Sequence, residues 1–238
     1  MYLKLLYDMH HTLFRFTPNI RNDIYLKDPT SSLLGNNLIR HSIDLIDEVG
    51  LEEFNFKKLA QKTGTTEATI YRYFENKHKL LLYLTSWYWS WIEYQLMMRN
   101  TNIDSDEMKL RNAIQTIGTS SNFENESDFD LHKLFNIICQ ESSKAYMIKE
   151  VDELNKHGVF YNYKKIVANI SVIIMRINPT YKYPNTLVTT IIEGMHHQIF
   201  FRKHLPSLTE THTDDINYVE YYTDLAFKMI TTSNSKNK

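Results

Sequence analysis

The strongest constraint on the fold lies in residues 56–81, FKKLAQKTGTTEATIYRYFENKHKLL. Two short helical patterns meet at Gly64, where the chain must turn sharply and a Cβ would resist it. A third pattern begins at Asn76, behind Tyr71 and Phe74 at Tyr-x-x-Phe spacing. A longer helix over 31–49 precedes them, with Leu34, Leu38, Leu45 and Val49 on one stripe and Ile39, Ile43 and Ile46 widening it. Gly50 stands where a residue of positive φ is wanted after a helix, and Asn55, Thr66 and Asn76 stand where N-caps are wanted. This order is the layout of a helix-turn-helix, whose second helix enters the DNA major groove.

At about 100° per residue, Ile70 and Phe74 share the inner face of that second helix, and Ala68 and Arg72 lie opposite. Ala68 is small enough to meet a thymine methyl, and Arg72 can bond a guanine with two N–H groups. Thr69 and Tyr71 flank them with hydroxyls at the height of the phosphates, Glu67 and Tyr73 hold the edges, and Thr66 and Lys57 complete the expected contact set. Singly, each residue reads as well as an ordinary exposed position; together they outline a reading face. The following helix opens with Lys77, His78 and Lys79. A helix N-terminus carries roughly +0.5 charge and favours acids, so lysines there suggest an external anion, such as a DNA phosphate.

Charge is distributed to match. Between residues 54 and 79 six bases face two acids, a local charge of +4; the chain totals −1, so the remainder carries −5. That is the footprint of a local DNA contact rather than of a coating protein. Only 6 glycines and 5 prolines in 238 residues leave few tight turns and favour long helices. The single Cys139 rules out a disulfide within the chain and fits a reducing cytoplasm. Asp8, His10 and His11 interrupt the apolar start that a signal peptide would need, and no run is long enough for a membrane span. Of the ten histidines, His196 and His197 point about 100° apart, so neither a metal nor a cofactor is expected. There is no Gly-rich phosphate loop, nucleophile elbow or acid–base cluster, and an enzyme is not expected.

Residues 38–81 resemble the TetR/AcrR family of bacterial transcription regulators. The resemblance rests on Gly50, Leu59-Ala60, Gly64, the run Thr66-x-x-Thr69-Ile70-Tyr71-x-x-Phe74, Lys77 and Leu80-Leu81. Asn55 stands where the family usually has Thr, and Thr65 where it has a small aliphatic residue. The resemblance implies that Tyr71 and Lys77 hold phosphates while the third helix reads bases. It also implies an all-helical C-terminal domain, a homodimer and, usually, a ligand pocket in each subunit.

The expected fold is all-α: a three-helix DNA-binding domain over 31–79, joined by a long helix to an effector-binding and dimerisation domain over 80–232. An N-terminal extension, 1–30, precedes them and a polar tail, 233–238, follows. The extension carries a short amphipathic helix through Tyr2, Leu6, Met9, Leu13 and Phe16, and would dock on the body or on a partner subunit, or reach DNA as an arm. The fourth helix, to about residue 99, is apolar nearly all round and should run through the centre of the body. Further helices are expected over 104–121, 129–146, 160–177, 184–205 and 214–232, with a polar connection at 120–127.

Trp87 and Trp91 of the fourth helix are either plain core or cavity lining, with Tyr163 and Met175 opposite. His132, Asn136 and Gln140, spaced four apart, form either the polar side of such a pocket or the wet face of their helix. Ile191, Met195 and Ile199, with Val219, Tyr222 and Ala226, are expected at a four-helix dimer interface. The function expected is a dimeric operator-binding repressor released by a small apolar or aromatic effector. The alternative is a DNA-binding dimer without effector, acting architecturally or through a protein partner.

Overall fold

The computed structural model describes residues 16–119, 129–210 and 217–232, and every regular element among them is helical. The expected N-terminal helix up to residue 15, the whole polar connection at 120–127 and the polar tail lie outside the described residues. Helix α1 spans Leu33–Glu53, α2 Phe56–Thr63, α3 Glu67–Tyr71, α4 Lys77–Asn100, α5 Asp106–Gly118 and α6 Leu131–Glu141. They are followed by α7 Ser143–Tyr146, α8 Val151–Lys156, α9 Tyr161–Ile177, α10 Pro184–His204 and α11 Tyr218–Thr232.

Local chemistry sets these boundaries. The side chains of Ser32, Asn55, Thr66 and Asn76 each accept the backbone N–H three residues on, at the starts of α1 to α4. Gly50, at φ 74° and ψ 162°, breaks the helical geometry of α1 in a region open almost only to glycine. The chain then makes one more turn, closed by Phe54 N–H on Gly50 O at 3.1 Å. Residues 129–146, expected as one helix, divide at Ser142 into α6 and α7, and α8 is an additional short element.

α4 is the axis. Every residue from Leu80 to Ile92 is buried, as expected of a helix apolar all round. α5, α6 and α9 pack around it, α10 lies over α5, α6 and α9, and α11 closes on α10 and α5. One continuous core runs from Ile24 through the DNA-binding helices to Ile230, so the expected boundary at residue 79 leaves no break in packing. α1 rests directly on α6, where Lys133 pairs with Asp44 and Asn136 Nδ2 donates to Asp47 Oδ1 at 3.1 Å.

The extension docks on α4 over residues 16–28. Phe16 stands edge-on to Trp87 and Trp91 at 5.3 and 5.1 Å and meets Tyr94 at 5.3 Å. Asn19 N–H donates to Ser90 Oγ at 3.2 Å, and Asn162 Nδ2 donates to Asn19 O at 2.9 Å. Leu26 N–H reaches Tyr73 O at 2.8 Å, fastening the same segment to the DNA-binding helices. The segment thus follows α4 for about 25 Å at 1.5 Å per residue, from Tyr94 back toward Lys77. In this position it is a strap along the body, not an arm toward DNA.

The strap ends in a turn at Pro29–Ser31 pressed against α1. A Cβ on Gly35 would lie 2.1 Å from Pro29 O and 2.7 Å from Pro29 C, both backbone atoms. Gly35→Ala is therefore expected to cost about 1–3 kcal/mol through overpacking. Thermal unfolding checks it: an unchanged midpoint would show that the turn yields freely.

Candidate nucleic-acid interface

α2 and α3 are joined by Gly64, whose φ of 65° and ψ of 29° place it in the left-handed region as its position in the sequence requires. Thr65 N–H donates to Ala60 O at 3.0 Å, and Thr66 Oγ1 accepts Thr69 N–H at 3.2 Å. Ile70 is fully buried and anchors α3. Thr66, Glu67, Ala68, Tyr71, Arg72 and Lys57 are exposed, and Thr69 is half-buried. The Tyr71 ring stands edge-on to Phe56 at 5.0 Å, which braces its phenol while the residue stays 49 % exposed. These residues present one outward face of hydroxyls, a methyl and a guanidinium.

Tyr73 does not belong to that face. α3 ends at Tyr71, Arg72 caps it, and the chain then turns so that Tyr73 and Phe74 are 3 % and 1 % exposed. The Tyr73 hydroxyl lies 2.9 Å from Ser32 Oγ, and Lys27 sits over its ring at 5.1 Å. A wheel drawn past the true end of α3 loses phase there, which is why the sequence put Tyr73 at an edge.

The lysines of α4 have partners inside the chain. Lys77 Nζ donates to the carbonyls of Leu51 and Glu52, both at 3.0 Å, and Lys79 Nζ to Asp23 O at 3.1 Å. Neither needs an external anion to explain its position. Lys58 and Lys62 pair with Glu53 and Glu48 at 3.5 and 3.2 Å. Of the six bases counted in the sequence, Lys57 and Arg72 are the two for which no hydrogen bond or ion pair is found among the described residues. Both lie on the helix-turn-helix itself.

Behind this face, the body grips the turn after Gly50. Glu141, 7 % exposed, accepts Leu51 N–H at 3.0 Å, and Lys144 spans Glu141 at 2.7 Å and Glu52 at 3.0 Å. Sequence reasoning passed over these two residues. A signal was present nearby: Asp44 and Asp47 repeat at the three-residue interval of their partners Lys133 and Asn136.

Among the described residues, two clefts flank α10. One, of about 450 Å³, lies between α8, α9 and α10, with Tyr146, Phe160, Tyr163 and Val167 on its apolar wall and Asn155, Lys164, Asn185 and Thr189 at its rim. The other, of about 270 Å³, lies between α6 and α10. The expected pocket residues scatter relative to them. Tyr163 lines the first cleft and Gln140 the second. Trp87 and Trp91 stack on each other at 5.8 Å under Phe16, as core. His132 and Met175 are exposed, and Asn136 is committed to Asp47.

The expected interface residues are also engaged within the chain. Ile191, Met195, Tyr222 and Ala226 are buried, and Ile199 and Val219 pack half-buried on the same core. A Cβ on Gly194 would lie 2.4 Å from the Tyr222 hydroxyl oxygen, so α10 and α11 meet closely through these faces. Left outward are His197 on α10 and Tyr221 and Met229 on α11, the last two 59 % and 46 % exposed.

Comparison with known proteins agrees with this geometry. Residues 38–84 match the family model for bacterial regulatory proteins of the tetR family. No curated protein matches the chain. Among solved structures, AibR in complex with isovaleryl coenzyme A and operator DNA is similar at 16 % identity and a TM-score of 0.54, over 82 % of this chain and 95 % of that one. The fatty acid degradation regulator FadR from Bacillus halodurans is similar at 14 % identity and 0.58, over 84 % and 96 %. The ketosteroid transcriptional regulator KstR2 of Mycobacterium tuberculosis is similar at 11 % identity and 0.52, over 87 % and 96 %. At such identities the likeness is one of fold, whereas the match over 38–84 falls on the helix-turn-helix itself. Over residues 38–84, the helix-turn-helix, the chain is thus similar to bacterial regulatory proteins of the tetR family.

Proposed function

We propose that this DNA-binding regulator works in the cytoplasm as a homodimeric repressor that leaves its operator when a small apolar or aromatic molecule enters the body. The observation that carries the DNA reading is the exposed face of Thr66, Ala68, Tyr71 and Arg72, with the Lys57 ammonium beside it and Ile70 fixing it from behind. Ala68 and Arg72 would meet base edges, while Lys57, Thr66, Thr69 and Tyr71 would hold the backbone. Glu67, at the first position of α3, would face the groove edge and exclude some bases by repulsion.

The dimer would form through the outward faces of α10 and α11, since their inward faces are already occupied. Two heads related by a two-fold axis meet successive major grooves about 34–36 Å apart, or a multiple of that. The 450 Å³ cleft is of a size suited to a drug-sized ligand, and its aromatic wall favours an apolar one. The ketosteroid transcriptional regulator KstR2 is in keeping with an apolar ligand, whereas isovaleryl coenzyme A, held by AibR, joins an apolar acyl group to a large polyanionic carrier. The ligand would act by preferring the conformation in which the two heads are wrongly spaced. A DNA-binding dimer without effector is the weaker reading, because it leaves the cleft without a role.

Selection of bound duplexes from a random pool by the full chain tests the proposal. The expected product is a two-fold symmetric site with half-sites one or more helical turns apart; an unsymmetric site, or none, would end the reading. Arg72→Ala is expected to relax preference at one base position per half-site by roughly 5- to 150-fold, the worth of one bidentate contact. Uniform weakening across all positions would instead make Arg72 a phosphate contact.

A further inference from the structure

The residues at the junction of α6 and α7 alternate between two tasks. Glu141 and Lys144 hold the turn after Gly50, whereas Gln140, Ser142 and Ser143 line the 270 Å³ cleft against α10. From α10, Glu193, His197 and Phe200 face them across the cleft. Glu193 is the sole carboxylate among the described lining residues, and no lysine or arginine joins it there.

Two other ionisable lining groups are neutral, and a third, His197, stands exposed one helical turn from Glu193. Burial pushes His196 down to about 4, so its imidazole is uncharged near neutrality, and burial pushes the Cys139 thiol up, so it stays protonated. The cleft therefore combines the Glu193 carboxylate, the His197 imidazole, the hydroxyls of two serines, an amide and the ring of Phe200. Glu193 is fixed in place, because Tyr163 O–H donates to its Oε1 at 2.7 Å. Tyr163 also lines the 450 Å³ cleft, so this bond stands between the two clefts.

We propose that the α6–α10 cleft binds a small flat organic cation of one or two rings, with its N–H groups on Glu193 and its ring against Phe200. A carboxylate at the edge of an aromatic slot attracts such a cation both by charge and by the ring quadrupole. The volume excludes larger ligands: 270 Å³ lies just under the usual range for drug-sized molecules. The site is separate from the effector cleft proposed above and does not depend on it. Because its floor is the α6–α7 junction that carries Glu141 and Lys144, a ligand drawing that junction toward α10 would act on the seat of the DNA-binding head.

Calorimetric titration of the full chain with benzamidine, a one-ring amidinium, tests the site without DNA, so failure here leaves the regulator reading untouched. Saturable binding is expected, with a Kd of about 0.1–1 mM for a ligand of that size. Benzoate, of the same shape and opposite charge, is expected not to bind. Glu193→Gln should weaken benzamidine at least about tenfold, the scale of one charge-assisted pair. Ser143→Trp, which fills the cleft, should abolish binding, and Thr189→Trp, which fills the neighbouring one, should leave it intact. Absence of saturable binding, equal binding of benzoate, or loss in Thr189→Trp would overturn the proposal. Thermal melts establish that each variant folds, and for one that does not, the benzamidine–benzoate contrast on the unaltered chain decides.

Discussion

Lys77→Met is expected to lower the thermal midpoint of the full chain by roughly 6–12 °C while leaving the salt dependence of DNA binding unchanged. The ammonium of Lys77 bonds the carbonyls of Leu51 and Glu52, in the turn that follows the break at Gly50. Each charge-assisted bond is worth about 1.5–3 kcal/mol where it is shielded, and the Glu52 bond is exposed, so a net loss of about 3 kcal/mol is reasonable. For a chain of this size 1 kcal/mol moves the midpoint by about 2–4 °C. Lys57→Met should behave in the opposite way. Its ammonium faces solvent with no bond to lose, so the midpoint should hold while the slope of log affinity against log salt falls by about one. If Lys77→Met flattened the salt dependence and left the midpoint unmoved, Lys77 would be chiefly a phosphate contact, as the family resemblance implied.

The contrast between Lys77 and Asn76 shows where sequence reasoning stops. Asn76 caps α4 through the backbone N–H of Lys79, three residues away, and such local bonds are legible because the chain itself fixes the geometry. Gly50, Gly64, Asn55 and Thr66 were legible for the same reason. Lys77 instead finds partners 25 and 26 residues back along the chain. Its place at a positive helix end looked like an invitation to an anion because those carbonyls could not be seen. The same limit governs the body. Periodicity identified the apolar faces of α10 and α11, yet it could not say whether Ile191, Met195, Tyr222 and Ala226 face their own chain or a second copy. They face their own. Trp87 and Trp91 were read as core or cavity, and the choice was settled by Phe16, a residue about 70 positions away. Tyr73 failed for a local reason: α3 is one turn shorter than the wheel that placed it.

The seat of the head on the body supplies the other large effect. Glu141→Ala removes the acceptor of Leu51 N–H, a buried bond of 3.0 Å, and one of the two carboxylates that Lys144 holds. An unpaired buried N–H costs about 1–3 kcal/mol, and Lys144, partly exposed, adds less than a fully buried charge would, so about 2–4 kcal/mol is expected in all. Glu141→Gln keeps an oxygen for Leu51 N–H and should lose about half as much. Hydrogen exchange separates this reading from plain loss of core: protection should fall first at residues 51–54, while the interior of α4 keeps its rates until global unfolding. DNA affinity should fall with it, because a loosened head must be ordered again on binding, but preference at the position read by Arg72 should persist. Any ligand acting through α6 should then shift DNA affinity less than in the unaltered chain, since coupling free energy is shared reciprocally between the two sites and Glu141 lies on the path between them. Exchange that rises uniformly across the body would show that Glu141 serves the core alone, and would move the link between body and head to Lys133–Asp44 and Asn136–Asp47.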